Sequence, residues 1–161
     1  MPLKTIIIGD IIMAKSGRAF ADRKKIQAIA AAETLSVTVA DCGTVFTCAG
    51  GNGVSAITLP TIADAGPGWW CKFVLIADQG TGAVTVSAAS GDEDTIVAAN
   101  YGGLGDSTNA DNVGSDAAAD SVTFVASKAL AGDSLEFICT GSKWLLQAFS
   151  TDGDAAITLA S

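Results

Sequence analysis

An all-β fold, a single β-sandwich or jelly-roll-like barrel behind an extended N-terminal arm, is what this 161-residue chain predicts. Three observations predict it. Residues 132–149 read as a complete hairpin: Leu135-Glu136-Phe137-Ile138-Cys139 and Trp144-Leu145-Leu146-Gln147-Ala148-Phe149 flank the polar connector Thr140-Gly141-Ser142-Lys143. From Thr34 onward, short runs of β-formers return at regular intervals between Gly, Asp and Ser turns, which favours sheets over βαβ units. The apolar content, 49% of residues, is skewed to small side chains, 29 Ala and 18 Gly against 10 aromatics. Small residues let sheets and neighbouring subunits approach closely while burying less area each.

In order along the chain, residues 1–17 form the arm, with Pro2 and the β-branched run Ile6-Ile7-Ile8 suited to adding a strand to something else. Residues 18–33 have helix-forming composition, with Ile26, Ile29 and Ala30 on one helical face; a strand through Lys25–Ala30 is the alternative reading of this Ala-rich window. Residues 34–161 are the sandwich domain. Leu35–Val39 alternates, and Asp41-Cys42-Gly43 turns the chain into Thr44–Cys48. Gly50-Gly51-Asn52-Gly53 leads to Val54–Leu59, which Pro60 ends. Trp69–Ile76, Gly82–Ser87 and Thr95–Ala98 follow. Ser121–Val125, the two hairpin strands and Ala155–Leu159 bring the total to about ten. Residues 99–120 carry few large apolar side chains and are longer than an ordinary connection; they read as an exposed loop that projects or clasps a neighbour.

Charge divides the chain. The first 25 residues hold six of the nine basic residues and two acids, a net +4, while the remaining 136 hold 15 acids and three bases, a net −12. A basic arm on an acidic body suits docking to an acidic surface and disfavours nucleic acid as a partner of the body. Residues 5–14 are apolar but Asp10 interrupts them well short of the ~18 residues of a membrane span, and the same charge spoils a signal peptide, so no membrane partner is expected.

The residues also weigh against catalysis. There is no histidine, so the common nucleophilic triads are excluded, and no Ser-x-x-Lys motif supplies a lysine base. Asp92-Glu93-Asp94 follow Gly91 in what reads as a solvated turn rather than an acid–base pair. Cys42, Cys48, Cys71 and Cys139 lack metal-ligand spacing and read as small buried hydrophobes with free thiols. Asp106, Asn109, Asp111 and Asp116 crowd oxygen donors into one loop, but not in the EF-hand order, and Asp152 and Asp154 flank Gly153; loop solubility is the preferred reading. Trp69, Trp70 and Trp144 could stack on sugars, though at least one of the first two must face inward and Trp144 heads an apolar strand. No enzyme activity, cofactor, metal or small-molecule substrate is expected.

One pattern runs through residues 34–144: Thr34-Leu35, Asp41-x-Gly43-x-x-Phe46, Ile57-Thr58-Leu59-Pro60, Gly66, the Trp70–Phe73 strand, Gly82-Ala83-Val84-Thr85-Val86, Gly132-Asp133-x-Leu135-Glu136 and Gly141-x-x-Trp144. It resembles the small β-proteins displayed on tailed bacteriophage particles, capsid decoration (cement) proteins and distal head- or tail-fibre modules. The resemblance is built from turns and strand fillers and carries no functional residues across. It implies a virion structural protein, made in the host cytoplasm, that binds the major capsid protein on the outer capsid surface as a homotrimer and bridges capsid subunits. The alternative it implies is an adhesive fibre module that contacts host glycans. On the first reading Lys4, Ile6, Ile8, Lys15, Arg18, Arg23, Lys24 and Lys25 dock on the capsid, and Tyr101, Leu104 and Val113 anchor an intersubunit loop.

Overall fold

The computed structural model describes residues 24–103, 118–151 and 156–161, with the side chains of 99–103 left aside. These residues form an all-β sandwich of two sheets. The strands are β1 (Lys25–Ile29), β2 (Thr34–Ser36), β3 (Thr44–Cys48), β4 (Ser55–Thr58), β5 (Trp70–Leu75), β6 (Val84–Ser87), β7 (Ile96–Gly103), β8 (Ser121–Phe124), β9 (Ser134–Cys139), β10 (Trp144–Ser150) and β11 (Ile157–Ala160). A single turn of 3-10 helix spans Val39–Asp41, and one short α-helix, α1 (Ile62–Ala65), lies between β4 and β5.

The order of the six-stranded sheet is β1-β3-β5-β9-β10-β7, and that of the five-stranded sheet β11-β8-β6-β4-β2. Consecutive strands up to β6 alternate between the two sheets, and within each sheet they pair in parallel: β1 with β3, β3 with β5, β2 with β4, β4 with β6. The first half of the chain is therefore wound as three coils of a flattened solenoid, each coil giving one strand to each sheet. β8, β9 and β11 then add antiparallel strands, and β7 closes the far edge parallel to β10. Parallel strands need a long crossover. Here the crossover is itself a strand of the opposite sheet.

Stacked coils need stacked corners. A Cβ at Gly53 would meet the Ala32 backbone nitrogen at 2.6 Å, and one at Gly82 would run into the Gly53 carbonyl, so three successive corners touch backbone to backbone. Asn52 fastens the same corner, its Oδ1 accepting from the Thr81 N–H at 3.0 Å.

Between the sheets the alternation of each strand supplies the core. On the six-stranded side, register aligns Gln27, Phe46, Phe73, Leu135 and Ala148 in one row. Phe46 stacks on Phe73 at 5.0 Å and Phe73 meets Phe137 edge-on at 6.0 Å. Opposite them stand Leu35, Ile57, Val86, Val122 and Leu159. Trp69 and Trp144 close one end of the core, edge to face at 5.5 Å, and the Trp69 Nε1–H donates to the Val39 carbonyl.

The hairpin forms where the sequence places it, with Trp144 opposite Cys139. Two expectations need correction. The described part of the 18–33 window is the strand β1, not a helix: its Ala-rich composition favours neither state, and pairing with β3 plus burial of Ile29 decides it. The long loop begins later than residue 99, because β7 continues through Gly103 along the parallel ladder of β10, and it ends by Ala119, which bridges back to Ile96. The extension pairs through the parallel backbone ladder with β10, which composition does not signal.

Candidate docking surfaces

The outward positions of the two sheets differ in kind. On the five-stranded sheet one outer row reads Thr34, Ala56, Thr85, Thr123, Thr158 and the next Ser36, Thr58, Ser87, Ser121, Ala160. Eight of these ten positions are hydroxyl side chains and none is charged. The Oγ1 atoms of Thr85 and Thr123 share a hydrogen bond of 2.9 Å across β6 and β8. These ten positions are exposed or half-buried and include no large apolar side chain.

The outer face of the six-stranded sheet is apolar on either side of a polar middle. One row aligns Trp70, Ile138, Leu145 and Val97, all half-buried. The middle row holds Ile26, Val45, Lys72, Glu136 and Gln147, and the third includes Thr47, Val74 and Phe149. Ile26 is 70% and Phe149 40% exposed. Lys72 and Glu136 face each other on the two central strands, Nζ to Oε2 3.9 Å. Gly43 precedes β3 in the row of Trp70, and without a side chain there the indole lies back toward β3, with the Lys24 ammonium 5.4 Å from its ring centre.

A third surface is the end of the stack formed by β1 and β2, the edge strands of the two sheets on the same side. The Ile29 carbonyl accepts from the Ala49 N–H, so in a parallel ladder the N–H and C=O groups of Ile26 and Ala28 point away from β3. The Ala56 N–H donates to the Glu33 carbonyl, which turns the backbone groups of Thr34 and Ser36 away from β4. Among the described residues both sheets thus end in strand edges on one side, the geometry to which a further strand adds.

Of the eight arm residues expected to dock, the structure describes two. Lys24 lies over Trp70, and the Lys25 ammonium pairs with Asp41 at 2.7 Å. Burial pushes the Asp41 carboxyl upward, but hydrogen bonds from Lys25 and from the Thr38 backbone and hydroxyl together outweigh it and hold the group below its ordinary value. Both lysines are therefore partly committed within the chain. Lys4, Ile6, Ile8, Lys15, Arg18 and Arg23 lie outside the described residues, as do Leu104 and Val113 of the expected intersubunit loop; Tyr101 is a residue of β7. Asp106, Asn109, Asp111, Asp116, Asp152 and Asp154 also lie outside them.

The remaining candidates for chemistry have structural jobs. Asp92 Oδ2 accepts from the Ile62 N–H at 2.7 Å at the start of α1, and Glu93 accepts from the Gly91 N–H. Cys48, Cys71 and Cys139 are buried, as the strand contexts suggest, whereas Cys42 is exposed; all four are free thiols. Burial pushes the Cys48 thiol up to about 12 and that of Cys71 well above its ordinary value, which removes thiolate character at neutral pH. Among the described residues no cluster of His, Cys, Asp or Glu is placed to hold a metal ion, and no helix is long and apolar enough to cross a membrane.

Sequence reasoning missed Asp133. Its carboxylate is fully buried, Oδ2 accepting from the Leu130 N–H at 2.9 Å and Oδ1 from the N–H and hydroxyl of Thr151 at 2.6 and 2.7 Å. The Gly132-Asp133 turn signal located the residue but not this second role, which ties the turn before β9 to the end of β10. No protein-family model, curated protein or solved structure matches this chain.

Proposed function

We infer that this chain is a virion structural protein, made in the host cytoplasm, that binds the outer surface of a capsid and stabilises the head by bridging capsid subunits. The observation that carries the reading is the strand edge of β1 and β2, unpaired among the described residues, which follows a basic N-terminal segment in the sequence. A solenoid end whose edges have no strand partner among the described residues calls for a cap. A strand of the major capsid protein added there gains main-chain hydrogen bonds, while the basic segment supplies attraction to an acidic capsid surface. Each attached copy buries surface across a joint between subunits, so outward pressure on the shell works against more contacts. The acidic body and its hydroxyl-bearing face suit exposure to solvent.

The fibre-module reading has less support. Trp69 and Trp144 are buried against each other and cannot serve as sugar platforms, which leaves Trp70 alone, already covered in part by Lys24.

Deleting residues 1–17 tests the reading. The truncated protein is expected to keep its β-sheet circular dichroism and melting temperature but to lose co-sedimentation with expanded capsids. Truncated protein that decorates capsids as fully as the intact chain would remove the arm, and with it the docking end, from the mechanism.

A further inference from the structure

We propose that the outer face of the six-stranded sheet is a self-association surface on which a second copy of this chain packs about a two-fold axis, a pair in place of the homotrimer that the resemblance implies. The axis would run parallel to the strands between β5 and β9, the third and fourth of the six, and so through the middle of the sheet. The consequence for capsid bridging rests on the functional reading above; the pairing itself does not.

Charge complementarity selects a second copy over other occupants. Lys72 on β5 and Glu136 on β9 stand opposite each other in the middle row. Rotation about an axis between those two strands places each Lys72 over the partner's Glu136 and each Glu136 over the partner's Lys72. The same rotation lays Trp70 on the partner's Ile138, the counterpart of its own cross-strand neighbour in the same row. Leu145 on β10 then falls over the partner's Gly43 position, where the partner's Trp70 ring lies against the bare backbone. The face is neutral to basic where the body as a whole is acidic. Two copies that repel elsewhere meet here without like-charge contact.

The size also suits a pair. Six strands about 4.8 Å apart and about five residues long span roughly 29 by 17 Å. The corrugated side-chain surface over that footprint approaches the about 800 Å² per partner of a standard interface. Aligned packing of twisted sheets about 10 Å apart is the ordinary way such faces join. Of the large apolar side chains exposed among the described residues, Ile26 and Phe149 lie in the outer rows of this face, whereas the two outer rows of the opposite sheet hold none. Two-fold packing sets the β1 edge of each copy near the β7 edge of the other, so a pair carries two docking ends on opposite sides. That arrangement bridges two capsid subunits with the gain of linked binding events.

Light scattering after size exclusion, with no capsid present, tests the pairing separately from capsid binding. The intact chain is expected at twice its 16.1 kDa mass, falling toward monomer on dilution. Lys72→Glu should weaken pairing by about a hundredfold or more through like-charge contact, and combining it with Glu136→Lys should restore it. Leu145→Glu, at an outward half-buried position, should give a monomer with unchanged circular dichroism. In the unmodified protein, acetylation of Lys72 relative to Lys25 should rise as the pair is diluted apart, a readout that needs no variant to fold. Monomer or trimer mass for the intact chain, a pair that survives Leu145→Glu, or Lys72 reactivity independent of concentration would overturn the proposal. A pair that forms normally but fails to bind capsids would overturn the functional reading and leave this interface standing.

Discussion

Asp133 is the side chain on which the turn before β9 depends. Its buried carboxylate receives three hydrogen bonds, two of them from Thr151, eighteen residues away. Bonds to a charged acceptor are worth about 1.5–3 kcal/mol each, and their loss here strands buried donors. Asp133→Ala is expected to lower unfolding free energy by about 3 kcal/mol or more in urea titration, and a loss under about 1 kcal/mol would show that water replaces the carboxylate. Asp41 gives a pH-dependent contrast at the surface. Its folded-state pKa is lowered, so the stability it contributes is present above the ordinary carboxylate value of about 4 and is lost as pH falls through the lower folded value. Comparing Asp41→Asn with the intact protein across pH should show a constant small deficit at neutral pH that closes below about pH 4. The turn at Gly132-Asp133 was legible as a turn because Gly and Asp favour one. The bonds to Thr151 were not, because nothing local marks a partner eighteen residues on.

At the scale of elements, strands were legible and their partners were not. Thr44–Cys48 and Trp70–Leu75 are strands as their β-forming composition suggests, but their faces emerge only in the structure, which buries Thr44, Phe46, Cys48, Cys71, Phe73 and Leu75 and turns Val45, Trp70 and Val74 outward. Alternation says nothing about whether a neighbour runs parallel or antiparallel. The parallel winding follows from the connections, which pass through the other sheet, and from corner glycines that sequence reading took only as turn formers. The helix expected over 18–33 fails within its described part for a related reason: helix propensity is weak beside the ladder that β3 offers β1. Gly82→Ala tests the stacked corner. An added methyl meets the Gly53 carbonyl, and a cost of about 1–3 kcal/mol is expected from overpacking, read as a lower melting temperature. An unchanged melting temperature would mean that the coils are free to move apart at this corner. Phe73→Ala removes the ring between Phe46 and Phe137 and should cost about 3–5 kcal/mol.

The described residues present three surfaces of different character: a hydroxyl-bearing face, an apolar face with a central ion pair, and a pair of strand edges at β1 and β2 that follow the basic segment in sequence; the occupants we propose for them are solvent, a second copy and a capsid strand. Composition made the first guess at this division, since the charge asymmetry separates arm from body. It could not separate the two faces. That distinction exists only once register aligns residues from β1 to β7, which are distant in sequence. The measurement that bears most directly on the virion role is a count of copies of this chain per particle, by quantitative mass spectrometry of purified virions against the major capsid protein. The account predicts a fixed ratio set by the symmetry-related sites of the shell, reduced to background when residues 1–17 are deleted. Absence from purified particles, or a handful of copies confined to the tail, would contradict it.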